Sequence, residues 1–309
     1  MRMMECSKMY YDLTKGRIGK CLILFALPMI AGNLLQQFYN IADTLIVGRV
    51  LGKNALAAVG SAYTLMTFLT SVFLGLSMGS GALFSIYKGK GSDRELRLSV
   101  VHAFGLIMGV TVLLNVLVYL FTDPILWFLR VPEEVYDGMK TYLLVIFAGL
   151  VATFLYDACA AALRSLGDTV TPLVILAISV ALNIVGDLLF VVVLKSGVRG
   201  AAIATVLAQA IAFVVCWIYM VKRYELLRLS REDFKDPNPV MVKNMLGAGM
   251  SMGFMSSLIN IGSLTLQTAI NKLGNDYIVA QTAARKLTEM FMIMFTVFGN
   301  TMATYCGQN

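Results

Sequence analysis

Three carboxylates, Asp43, Asp157 and Asp187, lie inside long apolar runs of this chain, and the only basic residue in those runs to neutralise them is Arg164, at the end of one. Each has polar neighbours at helical spacing. Asn33, Gln36, Gln37, Asn40, Asp43 and Thr44 recur at steps of three and four, so on a helix they fall within one arc of about 120°. Ser179, Asn183 and Asp187 stand at i, i+4 and i+8, Thr205 and Gln209 at i and i+4, and Tyr142 precedes Asp157 on the same run. An ionised carboxylate near the middle of a bilayer costs about 2.5 to 3.5 kcal/mol on insertion scales, so these faces must look into a helix bundle or a water-filled cavity. Charge without counter-charge calls for a cation. It could be a proton held on the carboxylates themselves, or Na⁺ in an all-oxygen set of Asp, Asn and Thr. Either would make a coupling-ion site, whereas for Asn33 and Gln36 the structural alternative is amide bonding between helices.

The elements that must position these groups are membrane spans. Hydrophobic residues make up 58% of the chain and charged residues only 14%, with a mean hydropathy of +0.77. Apolar runs of about 20 residues can each cross a hydrocarbon core of about 30 Å, and the short alternating strands of a β-barrel are missing. The sequence therefore predicts an all-α, polytopic helical bundle with spans over about 22–48, 56–85, 98–121, 140–162, 171–194, 200–221, 246–270 and 278–305. The first run is long and lacks a small-residue cleavage site, so it is expected to stay attached.

Sixteen basic residues flank one set of span ends and nine the other, which puts the N-terminus in the cytoplasm of a multi-pass inner (plasma) membrane protein. The net charge of +7 then reflects loops facing anionic lipid rather than a nucleic-acid partner. Cys6, Cys21, Cys159, Cys216 and Cys306 show no CxxC spacing, and the single histidine, His102, stands beside a basic loop as a membrane-interface residue. No zinc or haem site, and no cofactor, can be assembled from them.

IAGNLLQQFYNIADTLIVGRVLG at 30–52 aligns weakly with MGFMSSLINIGSLTLQTAINKLG at 252–274. The chain thus reads as a cytoplasmic segment (1–21), a complete six-helix N-lobe (22–221), a charged cytoplasmic linker (222–245) and the first two helices of a second repeat lobe (246–309). GLSMGSGALFS at 75–85 and GAGMSMGFMSS at 247–257 are small-residue stretches that let helices approach closely.

ALPMIAGNLLQQFYNIADTLIVGRVLG with Pro28 and Asp43, LRSLGDTVTP at 163–172, NIVGD at 183–187, GVRGAAIATVLAQ at 197–209 and the terminal CGQN together resemble the multidrug and toxic compound extrusion (MATE) transporters, nearest to their DinF-like branch. The resemblance runs over the whole chain. It implies a twelve-helix fold of two six-helix lobes, monomeric when full length, that exports drugs and organic cations by Na⁺ or H⁺ antiport through alternating access. It also implies a cation site of Asp43, Asn183, Asp187 and Thr205, usable by Na⁺ as its metal ligands, with Gln36, Asn40, Tyr142, Asp157 and Gln209 lining the cavity. Asp157 stands where archaeal relatives often carry Asn. Helices 9 to 12 have no counterpart here, so the chain is expected to be a C-terminally truncated fragment.

Two other functions were weighed. A lipid-linked oligosaccharide flippase of the same superfamily would display intramembrane Arg or Lys toward a pyrophosphate, which these spans lack. An intramembrane aspartyl protease could use the YD at Tyr156–Asp157 and the GD at Gly186–Asp187, but general acid–base work needs both carboxyls within reach of one water. The expectation is therefore a transporter with no catalytic residues.

Overall fold

The computed structural model describes residues 13–14, 17–128, 131, 133–227, 233, 238–271 and 275–309. Most of the N-terminal segment, including Cys6, and most of the charged segment before 238 lie outside these residues. Eight helices follow one another: α1 (Ile18–Leu51), α2 (Lys53–Gly89), α3 (Asp93–Phe128), α4 (Glu133–Ser165), α5 (Val170–Asp187), α6 (Gly197–Arg223), α7 (Pro239–Asn271) and α8 (Asn275–Gln308). A π-helical turn, Leu188–Val193, extends α5, and a short 3₁₀ turn, Glu225–Leu227, follows α6. There is no strand among the described residues.

Every expected span falls on one of these helices, and the helices overrun the spans at both ends except for 171–194, whose last part lies on the π turn after α5. At 34 residues α1 is about 50 Å long, more than a hydrocarbon core needs, so its ends reach the headgroup level or beyond. By length and composition six helices can cross a membrane over their described residues: α1, α2 from Leu69, α3, α4, α5 with its π turn, and α6. The chain is an all-α, multi-pass membrane protein. Helix α1 runs unbroken through Pro28, and a single residue, Gly52, separates it from α2. That residue sits at φ +88°, a conformation open to glycine and strained for other residues, so the chain reverses there without a loop.

Helix α4 is the hub. Its buried side chains, from Met139 to Ser165, lie on all sides rather than on one stripe, as expected of a helix enclosed by others. Two apolar clusters meet along it. One joins Val47, Phe73, Ile107, Phe147 and Val191, with Phe73 stacked on Phe154 at 4.2 Å between ring centres. The other joins Phe84, Leu96, Leu163, Met220, Met241 and Met245.

The two small-residue stretches face each other across the α2–α7 crossing. A methyl group added at Gly79 would lie 2.7 Å from the Gly249 nitrogen, and one at Gly249 would lie 2.7 Å from the Leu76 Cα. The backbones therefore touch, and only glycine fits. Gly89 and Gly307 repeat this between α2 and α8, where an added Cβ would meet the Gly307 carbonyl at 2.6 Å.

The last two helices were expected to stand as an isolated pair ending in an untied Asn309, and the contacts correct both points. Helix α7 packs along α2 and α8 packs on α1 and α2, while α7 and α8 touch only briefly. Asn309 Nδ2 donates to the Leu13 carbonyl at 3.3 Å, next to a buried bond from Gln308 Nε2 to the Ser165 carbonyl at 2.6 Å. Helix α7 also begins at Pro239, inside the stretch read as linker (222–245).

Candidate functional site

Helices α1, α5 and α6 pack on one another, and the polar residues singled out on each meet where they do. The approach is close because of two glycines. A methyl at Gly186 would lie 2.9 Å from the Ala204 Cβ, and one at Gly200 would lie 3.0 Å from the Phe190 Cβ. Asp187 ends the regular part of α5, at the point where the backbone widens into the π turn. Such π segments are frequent at functional sites because they re-aim side chains that a regular helix would turn away.

Asp43 and Asp187 are buried, at 7% and 0% exposure, and their carboxyls lie within hydrogen-bonding reach of each other. Neither oxygen of Asp187 nor Oδ1 of Asp43 has a hydrogen-bond donor. Two carboxylates can only accept, so they share this space only with a proton or a metal cation between them. One helical turn before Asp187, Asn183 Nδ2 donates to Thr205 Oγ1 at 3.1 Å, and Thr205 Oγ1 donates to the Ala201 carbonyl at 3.1 Å. The threonine's one proton is thereby used, so the Tyr39 hydroxyl, 3.1 Å from Thr205 Oγ1, is the donor in that pair. Both lone pairs of Thr205 are then taken. The amide oxygens of Asn183 and Gln209 are left buried without a donor.

Beside this network lies a narrow pocket of about 250 Å³ including its open mouth, lined by Gln36, Tyr39, Ser179, Asn183, Thr205 and Gln209 among others. Ser179 Oγ donates to the Ala208 carbonyl at 3.0 Å and so ties α5 to α6 along its wall.

The structure thus brings together Gln36, Asp43, Asn183, Asp187, Thr205 and Gln209. Three of the expected cavity residues do not line this pocket. One is Asn40, whose backbone carbonyl accepts Thr44 Oγ1 at 2.7 Å. Tyr142 is buried in the core cluster around α4, and Asp157 lies toward Arg164 near the far end of α4. Since Asp187 faces Asp43 and not Asp157, the carboxylate pair that a protease would need is not formed. Tyr39 was missed because its ring was counted as apolar. Its position was visible all the same, three residues after Gln36 and four before Asp43 on the same helical face.

A bundle of membrane-crossing helices that turns a buried pair of acids toward each other defines a multi-pass membrane protein with a polar interior. The MatE family model matches residues 28–189, and the chain belongs to this family, the multidrug and toxic compound extrusion transporters. It is 30% identical over 302 residues to the probable multidrug resistance protein YpnP of Bacillus subtilis, covering 97% of this chain and 66% of that protein. It is 26% identical to the multidrug export protein MepA of Staphylococcus aureus, covering 93% of this chain and 63% of that protein. The chain thus spans about two thirds of the length of these relatives. Its fold matches a MOP superfamily transporter from Pyrococcus furiosus with a TM-score of 0.90 at 22% identity, over 99% of this chain and 68% of that one. An outward-facing multidrug resistance MATE transporter matches with a TM-score of 0.89 at 22% identity, covering 99% and 68%. The family consists of transporters, not enzymes.

Proposed function

We propose that the chain serves a secondary transporter that exports drugs and organic cations in exchange for Na⁺ or H⁺ by alternating access. The single observation that supports this most is the Asp43–Asp187 pair, buried and facing, with orphaned oxygens on both sides. Those oxygens, with the Asn183 amide oxygen, suit a hard cation that prefers oxygen ligands, and they suit a shared proton equally well. Thr205, expected as a direct ligand, is better read as the group that orients Asn183 and Tyr39, since its hydroxyl is already saturated. An ion arriving between α1 and α5 removes their mutual repulsion and draws the two helices together, while its departure drives them apart. The pocket lined by Asn183 and Thr205 encloses only about 10 Å³, far below the roughly 300 to 1,000 Å³ of a drug-sized site, so the exported molecule would bind elsewhere, between the two repeats.

The same reading carries the rest: a N-lobe of α1 to α6, a second repeat that opens with α7 and α8, membership of the DinF-like branch, a monomer, and a plasma membrane with the N-terminus in the cytoplasm. Efflux of a fluorescent organic cation from cells expressing the chain, with Na⁺ and pH gradients imposed separately, tests the exchange. Export that follows one gradient and is lost in Asp187→Asn supports it, and export indifferent to both gradients refutes it.

A further inference from the structure

The only histidine of the chain is absent from the ion site and is engaged elsewhere. His102 Nδ1 lies 2.7 Å from the Leu98 carbonyl on its own helix, α3, and Nε2 lies 3.0 Å from the backbone N–H of Asn238, the residue before α7. A carbonyl only accepts and an amide N–H only donates, so both neighbours together fix the ring: neutral, with its proton on Nδ1.

Asn238 is the N-cap of α7. Its Oδ1 accepts the Met241 N–H at 3.0 Å, its carbonyl accepts the Val242 N–H at 3.2 Å, and Pro239 holds the first helical position. In a capping box the third helical residue, a Glu or Gln, would turn back to accept the N–H of the cap residue. Here that residue is Met241, which cannot do so, and His102 supplies the missing acceptor from another helix. An ion pair between Arg97 and Asp233, at 3.8 Å, fastens the same connecting segment to the same helix.

We propose that His102 is a proton-sensitive latch that completes the α7 cap from α3 and holds the start of α7 against that helix. Protonating Nε2 puts a second N–H opposite the Asn238 N–H. The bond is lost, the cap N–H is orphaned, and the start of α7 comes free of α3. Charged groups on the surrounding elements are Asp93, Arg94, Glu95 and Arg97 on α3, Lys88 and Lys90 at the end of α2, Arg164 at the end of α4, Glu225 after α6, Asp233 in the connecting segment and Lys243 on α7. Both ring nitrogens are engaged by backbone groups, so none of these holds either nitrogen in the neutral ring. The latch is independent of the Asp43–Asp187 site.

Two measurements on the purified, histidine-tag-free chain test it. Because there is one histidine, ¹⁵N-imidazole NMR reads His102 without any substitution. The Nδ1-protonated tautomer is expected at neutral pH, and the Nε2-protonated tautomer, the commoner form in water, overturns the proposal. The second measurement is amide hydrogen exchange at the Asn238 N–H, compared between the native chain and His102→Gln, which keeps an acceptor but does not titrate. As pH is lowered, exchange in the native chain relative to the variant should rise about fivefold, the factor that loss of one capping interaction implies. An unchanged ratio overturns it.

Discussion

Replacing Asp187 by Asn changes one charge and almost no volume, and its consequence can be worked through from the site. Asp187 is fully buried with both oxygens lacking a donor, and it faces the carboxyl of Asp43. Two unit charges about 4 Å apart at an effective dielectric of about 20 repel by about 4 kcal/mol, which only a bound cation or proton relieves. Asparagine removes that repulsion and can turn its N–H toward Asp43, a bond to a charged acceptor contributing about 1.5 to 3 kcal/mol. In alkaline, Na⁺-free buffer the variant should therefore unfold at a higher temperature than the native chain, by several degrees. The native chain should gain stability as Na⁺ is added or pH is lowered, following RT ln(1 + [L]/Kd), and the variant should not. Thermal unfolding in detergent, with choline as the inert counter-ion, reads both effects. A variant that melts below the native chain without ions, or that keeps the native response to Na⁺ and pH, refutes the pairing of these two carboxylates.

Further outcomes follow from other contacts. Gly79→Val forces a side chain against the Gly249 backbone; overpacking of this kind costs about 1 to 3 kcal/mol. It should lower the rate of disulfide formation between cysteines placed at Ser71 and Ser257, whose hydroxyls lie 3.5 Å apart across α2 and α7. Gln308→Ala strips the buried Ser165 carbonyl of its donor and should cost about 1 to 3 kcal/mol in the same melting assay. Beyond the end of α6, burial and then the neighbouring Asp168 carboxylate hold the Tyr224 phenol above its ordinary range. A raised pKa in the folded state contributes stability that is present below about pH 10 and lost as pH climbs past it, so Tyr224→Phe should flatten that alkaline loss.

Much of this was legible in the residues. Polar positions at steps of three and four inside oily runs marked α1, α5 and α6 as faces that had to meet, because a bilayer leaves them nowhere else to point. The small-residue stretches at 75–85 and 247–257 announced close approach, though not that they approach each other. Pairing is a tertiary fact that spacing on one helix does not carry. The same limit explains Thr44, which shares the polar arc of Asp43 but donates to the Asn40 backbone carbonyl on its own helix. It explains Asp157 too, which looks like Asp187 in sequence yet sits on another part of the hub helix. The π turn after Asp187 left no signal, since LLFVVV reads equally well as ordinary α-helix. His102 had the appearance of an interface residue because its partner is a backbone N–H at the far end of a long connecting segment.

The central claim is that Asp43 and Asp187 together hold the coupling cation. Equilibrium binding of ²²Na⁺ to the purified chain, with proton release followed in the same sample, tests it most directly. The account predicts one site per chain at which Na⁺ binds or a proton is exchanged, and its loss in the Asp43→Asn, Asp187→Asn double variant while the protein stays folded. An unaltered binding stoichiometry in that double variant would contradict it.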